Sequence, residues 1–222
     1  MADTVCYKLD ASCLDLLEDL NTELQPYLTE MNNYKLSNWP DAPVCRVMMP
    51  YPMASDHLAR ISKPEFYTEA YNGKTVETDD YTAYTITNIY GQPNNMVFMK
   101  DQHAKTVGSV VETLIERIRA DANGPGNDLA VTQMCLSWKD PGFLLKQHTD
   151  TIQPWMTASV RYHCVIKSNP DNKFYSGDDP DNMNEYVATA GEIWALDVSQ
   201  LHKTCNNSTT EDSLHMIIDF FA

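Results

Sequence analysis

From residue 128 onward the chain is a series of short runs, "LAVTQMCLSW", "ASVRYHCVI", "EYVATA", "GEIWALDV" and "SLHMIIDFF", separated by clusters of Pro, Gly, Asn and Asp. Runs this short with turn signals between them predict an antiparallel sandwich or barrel. The alternation inside two of them sharpens this. Val160, Tyr162, Cys164 and Ile166 share one face of their strand, and Arg161, His163 and Val165 share the other. In the last run Leu214, Met216, Ile218 and Phe220 stand against Ser213, His215, Ile217 and Asp219. A sheet with one dry and one wet face explains either strand alone. Arg161 and His163 on one wet face and His215 on the other, in place of Lys, Glu and Thr, also fit a small barrel packed outside by helices and lined inside by cationic donors.

The first half is different. "CLDLLEDLNTELQPYLTEM" places leucines at 14, 16, 17, 20 and 24, which predicts one or two amphipathic helical turns before Pro26. Residues 38–75 are rich in proline and aromatics and read as irregular with short strands. "YTAYTITNIY" (81–90) alternates and is β-branched, so a strand is expected. In "HAKTVGSVVETLIERIRADA" (103–122), Val107, Val110, Val111, Leu114, Ile115 and Ile118 form one stripe before the Gly124-Pro125-Gly126 breaker. The expected class is mainly β with flanking helices. The 222 residues suffice for one domain: a helical or irregular part over 1–127 and a β-core over 128–222.

Sixteen basic against thirty-one acidic residues give a formal charge of −15. That surface repels phosphate backbones and anionic lipid, which disfavours nucleic-acid and membrane partners, and any anionic ligand needs a local cation. No window approaches the roughly 18 continuous apolar residues of a membrane span. The first residues carry acids and no signal-peptide core. The six cysteines (6, 13, 45, 135, 164 and 205) are scattered and read as reduced thiols, so a cytoplasmic protein is expected.

"LLKQHTDTIQPW" sets His148 two places before Asp150, so on an extended strand both side chains leave one face. A third ligand would come from His163, His202 or His215. His202, in "GEIWALDVSQLHKTCNNS", follows a strand and a turn and suits an opposite wall. Two imidazoles and a carboxylate leave one side of a cation open, which suits non-haem Fe(II) with free positions for O2 and a co-substrate. Ligation without cysteine argues against structural zinc. Trp155 either walls such a pocket or packs the sheet, and the polar segment 168–186 is either a lid or a solvated hairpin loop. His57 and His103, far upstream, read as ordinary surface or core residues.

Together "HTD", "VRYHCVI", "GEIWALDVSQLHKTCNNS" and "SLHMIIDFF" resemble the aspartyl/asparaginyl β-hydroxylase family of iron- and 2-oxoglutarate-dependent oxygenases. The most specific stretch is Gly191-Glu192, Trp194, Asp197, His202 and Asn206. The resemblance covers about 128–222 and implies a double-stranded β-helix (jelly-roll, cupin-like) core in the C-terminal half. It implies His148, Asp150 and His202 as ligands of Fe(II), and Arg161 and His163 as binders of the 2-oxoglutarate carboxylate. Asp150 departs from the animal enzymes, which lack the metal-binding carboxylate, and brings the chain closer to small microbial amino-acid hydroxylases. Ser213 is a second departure, for it stands where the family carries an arginine for the distal carboxylate of 2-oxoglutarate. Serine cannot replace a guanidinium. His215, Lys146 or a reoriented Arg161 are the candidates to take over.

Three functions follow from this reading. The first is an Fe(II)- and 2-oxoglutarate-dependent dioxygenase hydroxylating a small amino acid or a peptide side chain. The second is an Fe(II) oxidase that draws its electrons from the substrate. The third is a β-helix protein that holds metal without turnover.

Overall fold

The computed structural model describes residues 6–38, 41–51, 74–87, 93–100, 105, 107–126, 129–150, 159–179 and 181–221. Trp155, His57 and His103 lie outside them. In the first half the elements are β1 (Cys6–Ser12), α1 (Leu17–Asn38), β2 (Cys45–Met49), β3 (Lys74–Glu77), β4 (Tyr81–Thr87), β5 (Pro93–Met99) and α2 (Ser109–Ala120). In the second half they are β6 (Ala130–Lys139), β7 (Leu144–His148), β8 (Ser159–Lys167), β9 (Asn172–Gly177), β10 (Asn184–Val187), β11 (Glu192–Leu196), β12 (Leu201–Asn206) and β13 (Ser213–Phe221). The protein is mainly β with helices on one side, as the sequence predicts.

The strands form a nine-stranded sheet, β1-β11-β8-β13-β6-β2-β5-β4-β3, and a four-stranded sheet, β10-β9-β12-β7. Strands β6 to β13 switch between the two, apart from the β9–β10 hairpin within the small sheet, so that β11-β8-β13-β6 faces β10-β9-β12-β7. This is a double-stranded β-helix, whose two sheets enclose a lumen. The large sheet is apolar on its outer face. Tyr162, Cys164, Ile166, Leu214, Met216, Ile218 and Phe220 pack there with Leu20, Leu24 and Met31 of α1 and Val111, Leu114 and Ile118 of α2. Its inner face carries Arg161, His163, Ser213, His215 and Asp219.

Helix α1 continues through Pro26, where the sequence predicts a stop. Leu20, Leu24, Tyr27, Leu28 and Met31 extend one buried stripe past the proline. Burying three further side chains outweighs one lost backbone bond, because tertiary packing supplies most helix stability. Segment 168–186 is also not a loop. It holds β9 and β10, and β9 sits inside the small sheet between β10 and β12. Its polar residues Asn172 and Ser176 are buried by strand pairing, a fact that hydropathy does not carry.

Candidate metal centre

β12 lies between β9 and β7, and its His202 pairs across from His148 at the end of β7. The chain then leaves the strand, and the Asp150 N–H donates to the Val198 carbonyl at 3.0 Å, which returns the carboxylate toward the two imidazoles. One ligand atom from each of His148, Asp150 and His202 lies within 4.8 Å of the other two. The His148 and His202 rings are 4.3 Å apart at their centroids.

Both imidazoles are held in one tautomer. His148 Nδ1 bonds the Lys146 carbonyl at 2.8 Å, and His202 Nδ1 bonds the Gln200 carbonyl at 2.9 Å. A carbonyl only accepts, so each Nδ1 carries the hydrogen and each Nε2 keeps a free lone pair. These Nε2 atoms face Asp150, at 3.4 Å from His148 to Oδ1 and 4.0 Å from His202 to Oδ2. Two neutral nitrogen donors and one carboxylate, with no sulfur, fit Fe(II) with open positions.

Burial alone would raise the Asp150 pKa, but His148, Arg161 and His202 together hold it well below the carboxylate range. Burial lowers the His202 pKa against the pull of Asp150. At His148 burial also works downward, but the Asp150 carboxylate outweighs it and the pKa is raised. His148 is the most open ligand candidate, with its side chain 32% exposed against 7% for His202.

Arg161, on β8, is engaged on three sides. Nε and Nη2 donate to Asp219 Oδ1 and Oδ2 at 2.8 and 2.9 Å, and Nη1 donates to Asp150 Oδ2 at 2.8 Å. The guanidinium therefore braces a metal-ligand candidate, a place different from the co-substrate role the resemblance implies.

Deeper in the lumen a second polar group spans the sheets. Asn172 on β9 accepts from Ser213 Oγ at 3.1 Å and donates to His215 Nε2 at 3.4 Å. His215 Nδ1 then donates to His163 Nδ1 at 3.3 Å, which leaves the hydrogen of His163 on Nε2. That buried Nε2 has no hydrogen-bond partner. His163 lines a cavity of about 30 Å³ together with Phe174, Tyr186 and Trp194. Phe174 also stacks on His202 at 6.0 Å.

Two of the proposed stand-ins for the missing arginine are unsuited to the part, one by charge and one by position. Burial, with the charge of Lys139 second, pushes His215 well below its ordinary pKa, so it is neutral. Lys146 is exposed, because the pairing of β7 with β12 shifts register between His202 and Thr204 and the bulge turns Lys146 off the inner face. Lys139 was not singled out in the sequence. It is 5% exposed, lies opposite Ser213 and donates to Thr204 Oγ1 at 2.9 Å across the lumen. The signal was present, since Cys135, Ser137 and Lys139 share the polar parity of β6.

Several solved structures resemble the chain distantly. A non-heme monooxygenase, the ThoJ–nickel complex, is 16% identical over 52% of this chain and 55% of its own, at a TM-score of 0.42. This chain thus spans just over half of that protein. HygX from Streptomyces hygroscopicus, with iron bound, is 13% identical over 51% of this chain and 67% of its own, at 0.42. An oxidoreductase of the 2OG-Fe(II) oxygenase family from Burkholderia pseudomallei is 12% identical over 86% and 89%, also at 0.42. No curated protein is significantly similar in sequence. The family description Aspartyl/Asparaginyl beta-hydroxylase matches residues 93–222, which include every strand of the β-helix and all three converging ligand candidates. By that match over more than half of its length, the chain belongs to the aspartyl/asparaginyl β-hydroxylase family.

Proposed function

We propose that the protein is an Fe(II)- and 2-oxoglutarate-dependent dioxygenase that hydroxylates a small amino acid or a peptide side chain. The observation that carries this reading is the convergence of two Nε2 lone pairs and one carboxylate, with both Nδ1 hydrogens tied to backbone carbonyls. Bound Fe(II) would supply oxygen activation, with 2-oxoglutarate oxidised to succinate and CO2 and one oxygen atom inserted into a substrate C–H bond.

The chain's own residues prepare that site. His148, Asp150 and His202 hold the metal, and Arg161 keeps Asp150 ionised and in place while Asp219 holds Arg161. His163 Nε2 offers a buried donor to a carboxylate entering the lumen. Phe174 packs on His202 and screens its ring from water. The six thiols are free, which suits a reducing compartment such as the cytosol. Among the described residues no helix is long and apolar enough to cross a membrane.

Ser213 favours a second reading, an Fe(II) oxidase without 2-oxoglutarate, because its hydroxyl is tied to Asn172 and brings no charge. Anaerobic Fe(II) titration with and without 2-oxoglutarate separates the two. A visible charge-transfer band that needs both components is expected. Stoichiometric iron binding with no such band would favour the oxidase.

A further inference from the structure

Lys139 is a buried cation without a buried anion. Its side chain crosses from β6 in the large sheet to β12 in the small one, where it donates to the Thr204 hydroxyl. Among the described residues no carboxylate lies within ion-pair range of it, although the chain carries thirty-one acids. The side chains around it are hydroxyls, thiols and imidazoles rather than carboxylates: Thr204, Ser213, Cys45, Cys205, His163 and His215. An ammonium taken out of water without a counter-charge is costly, and an ammonium carries three hydrogens to donate. The remaining cations are placed elsewhere. Arg161 is held by Asp219 and Asp150, and Lys146 is on the outside.

We propose that Lys139 receives the distal carboxylate of a dicarboxylate co-substrate whose keto-acid end lies at the His148–Asp150–His202 centre. This rests on the 2-oxoglutarate reading above and names the residue that replaces the missing arginine. The spacing supports it. Thr204 follows His202 by two residues on extended β12, about 6.8 Å along the strand. A five-carbon dicarboxylate bridges that interval. The counter-charge the fold omits is then supplied by the ligand, and a carboxylate–ammonium contact in a dry lumen is charge-assisted. Lys139 enters from the first strand of the β-helix, whereas the vacant arginine position lies opposite it on the last, at Ser213.

The test compares 2-oxoglutarate with 2-oxovalerate, which has the same keto-acid end and chain length but a methyl in place of the distal carboxylate. Affinities are measured by anaerobic calorimetry on Fe(II)-loaded wild type and Lys139→Met, and melting temperatures on both proteins without ligand. Wild type is expected to prefer 2-oxoglutarate by tenfold or more. Lys139→Met should lose that preference, bind 2-oxovalerate as before and melt higher than wild type when ligand-free. Unchanged 2-oxoglutarate affinity in the variant would overturn the proposal. So would a parallel loss of both ligands with a lower melting temperature, which would give Lys139 a purely structural part. Wild type that takes iron but binds neither acid would instead overturn the 2-oxoglutarate reading itself.

Discussion

Asp219 on the last strand grips Arg161 through two parallel hydrogen bonds of 2.8 and 2.9 Å, and the free arm of the same guanidinium reaches Asp150. A carboxylate outside the three ligand candidates thus orients one of them. Asp219→Asn should weaken Fe(II) affinity by about 10–100-fold, the usual effect of losing a group that orients a ligand. Iron titration in anaerobic buffer measures it. Wild-type affinity in this variant would show that Asp150 holds its place without the bridge. Arg161→Met should act in the same direction and also destabilise the fold, because the buried Asp219 loses its two-armed bond to the guanidinium, at a cost of about 3–5 kcal/mol.

His202→Ala removes the most buried of the three ligand candidates. Stoichiometric iron binding should be lost while the circular dichroism spectrum stays that of wild type. Full iron occupancy in the variant would remove His202 from the ligand set.

Burial pulls the Lys139 pKa from its ordinary 10.5 to about 8, against the opposing influence of Cys45 and Cys205. Below about pH 7 the ammonium is charged before and after binding, so 2-oxoglutarate affinity should be flat there. Above pH 8 the free protein has lost a proton that the complex needs, and affinity should fall by up to about tenfold per pH unit. The groups facing Lys139 do not mimic this: burial pushes the Cys45 thiol up, while burial holds His163 and His215 far below neutrality. Stability of the ligand-free protein moves the opposite way. The unfolded chain keeps the proton up to about 10.5, so this contribution becomes more favourable as pH rises from about 8 to 10.5. An affinity that fades between about pH 6 and 8 would instead identify a histidine as the cation.

Restoring the family's arginine should not restore its binding mode. Ser213 is fully buried and faces Lys139 in register. Ser213→Arg would put a long side chain at a fully buried position beside an existing ammonium, with overpacking alone costing about 1–3 kcal/mol. A lower urea midpoint is the expected result. A variant as stable as wild type that binds 2-oxoglutarate more tightly would show that the lumen has room for a second cation.

Gly191 opens β11 at a φ of 91°, and a Cβ there would meet Leu14 Cβ at 2.8 Å. Its carbonyl accepts from the Cys13 N–H and its own N–H donates to Val165, so the turn can hardly shift. Gly191→Ala should cost about 1–3 kcal/mol in urea denaturation. An unchanged midpoint would mean that the turn relaxes.

The last strand runs from Ser213 to Phe221, as its alternation predicts, because a face of Leu, Met, Ile and Phe must be buried whatever it packs against. The same reasoning placed polar residues inside the barrel. It missed β9, whose burial comes from two neighbouring strands rather than from its own composition. It also assigned Lys146 to the inner face by counting in twos, and one bulge breaks that count. The role of Arg161 was hidden for another reason. Parity aims a side chain into the lumen, but which partner it meets there depends on Asp219, fifty-eight residues away.

The pairing of β1 with β11 joins Lys8 to Glu192 across 184 positions of sequence. During synthesis β1 therefore waits for β11, which is made much later, before it can pair. Closing so long an interval is entropically slow, so β1 should dock late, onto a sheet already built from its other strands. A fusion placed ahead of β1 would act on this final step, lowering the yield of folded protein while leaving the chemistry of correctly closed molecules intact.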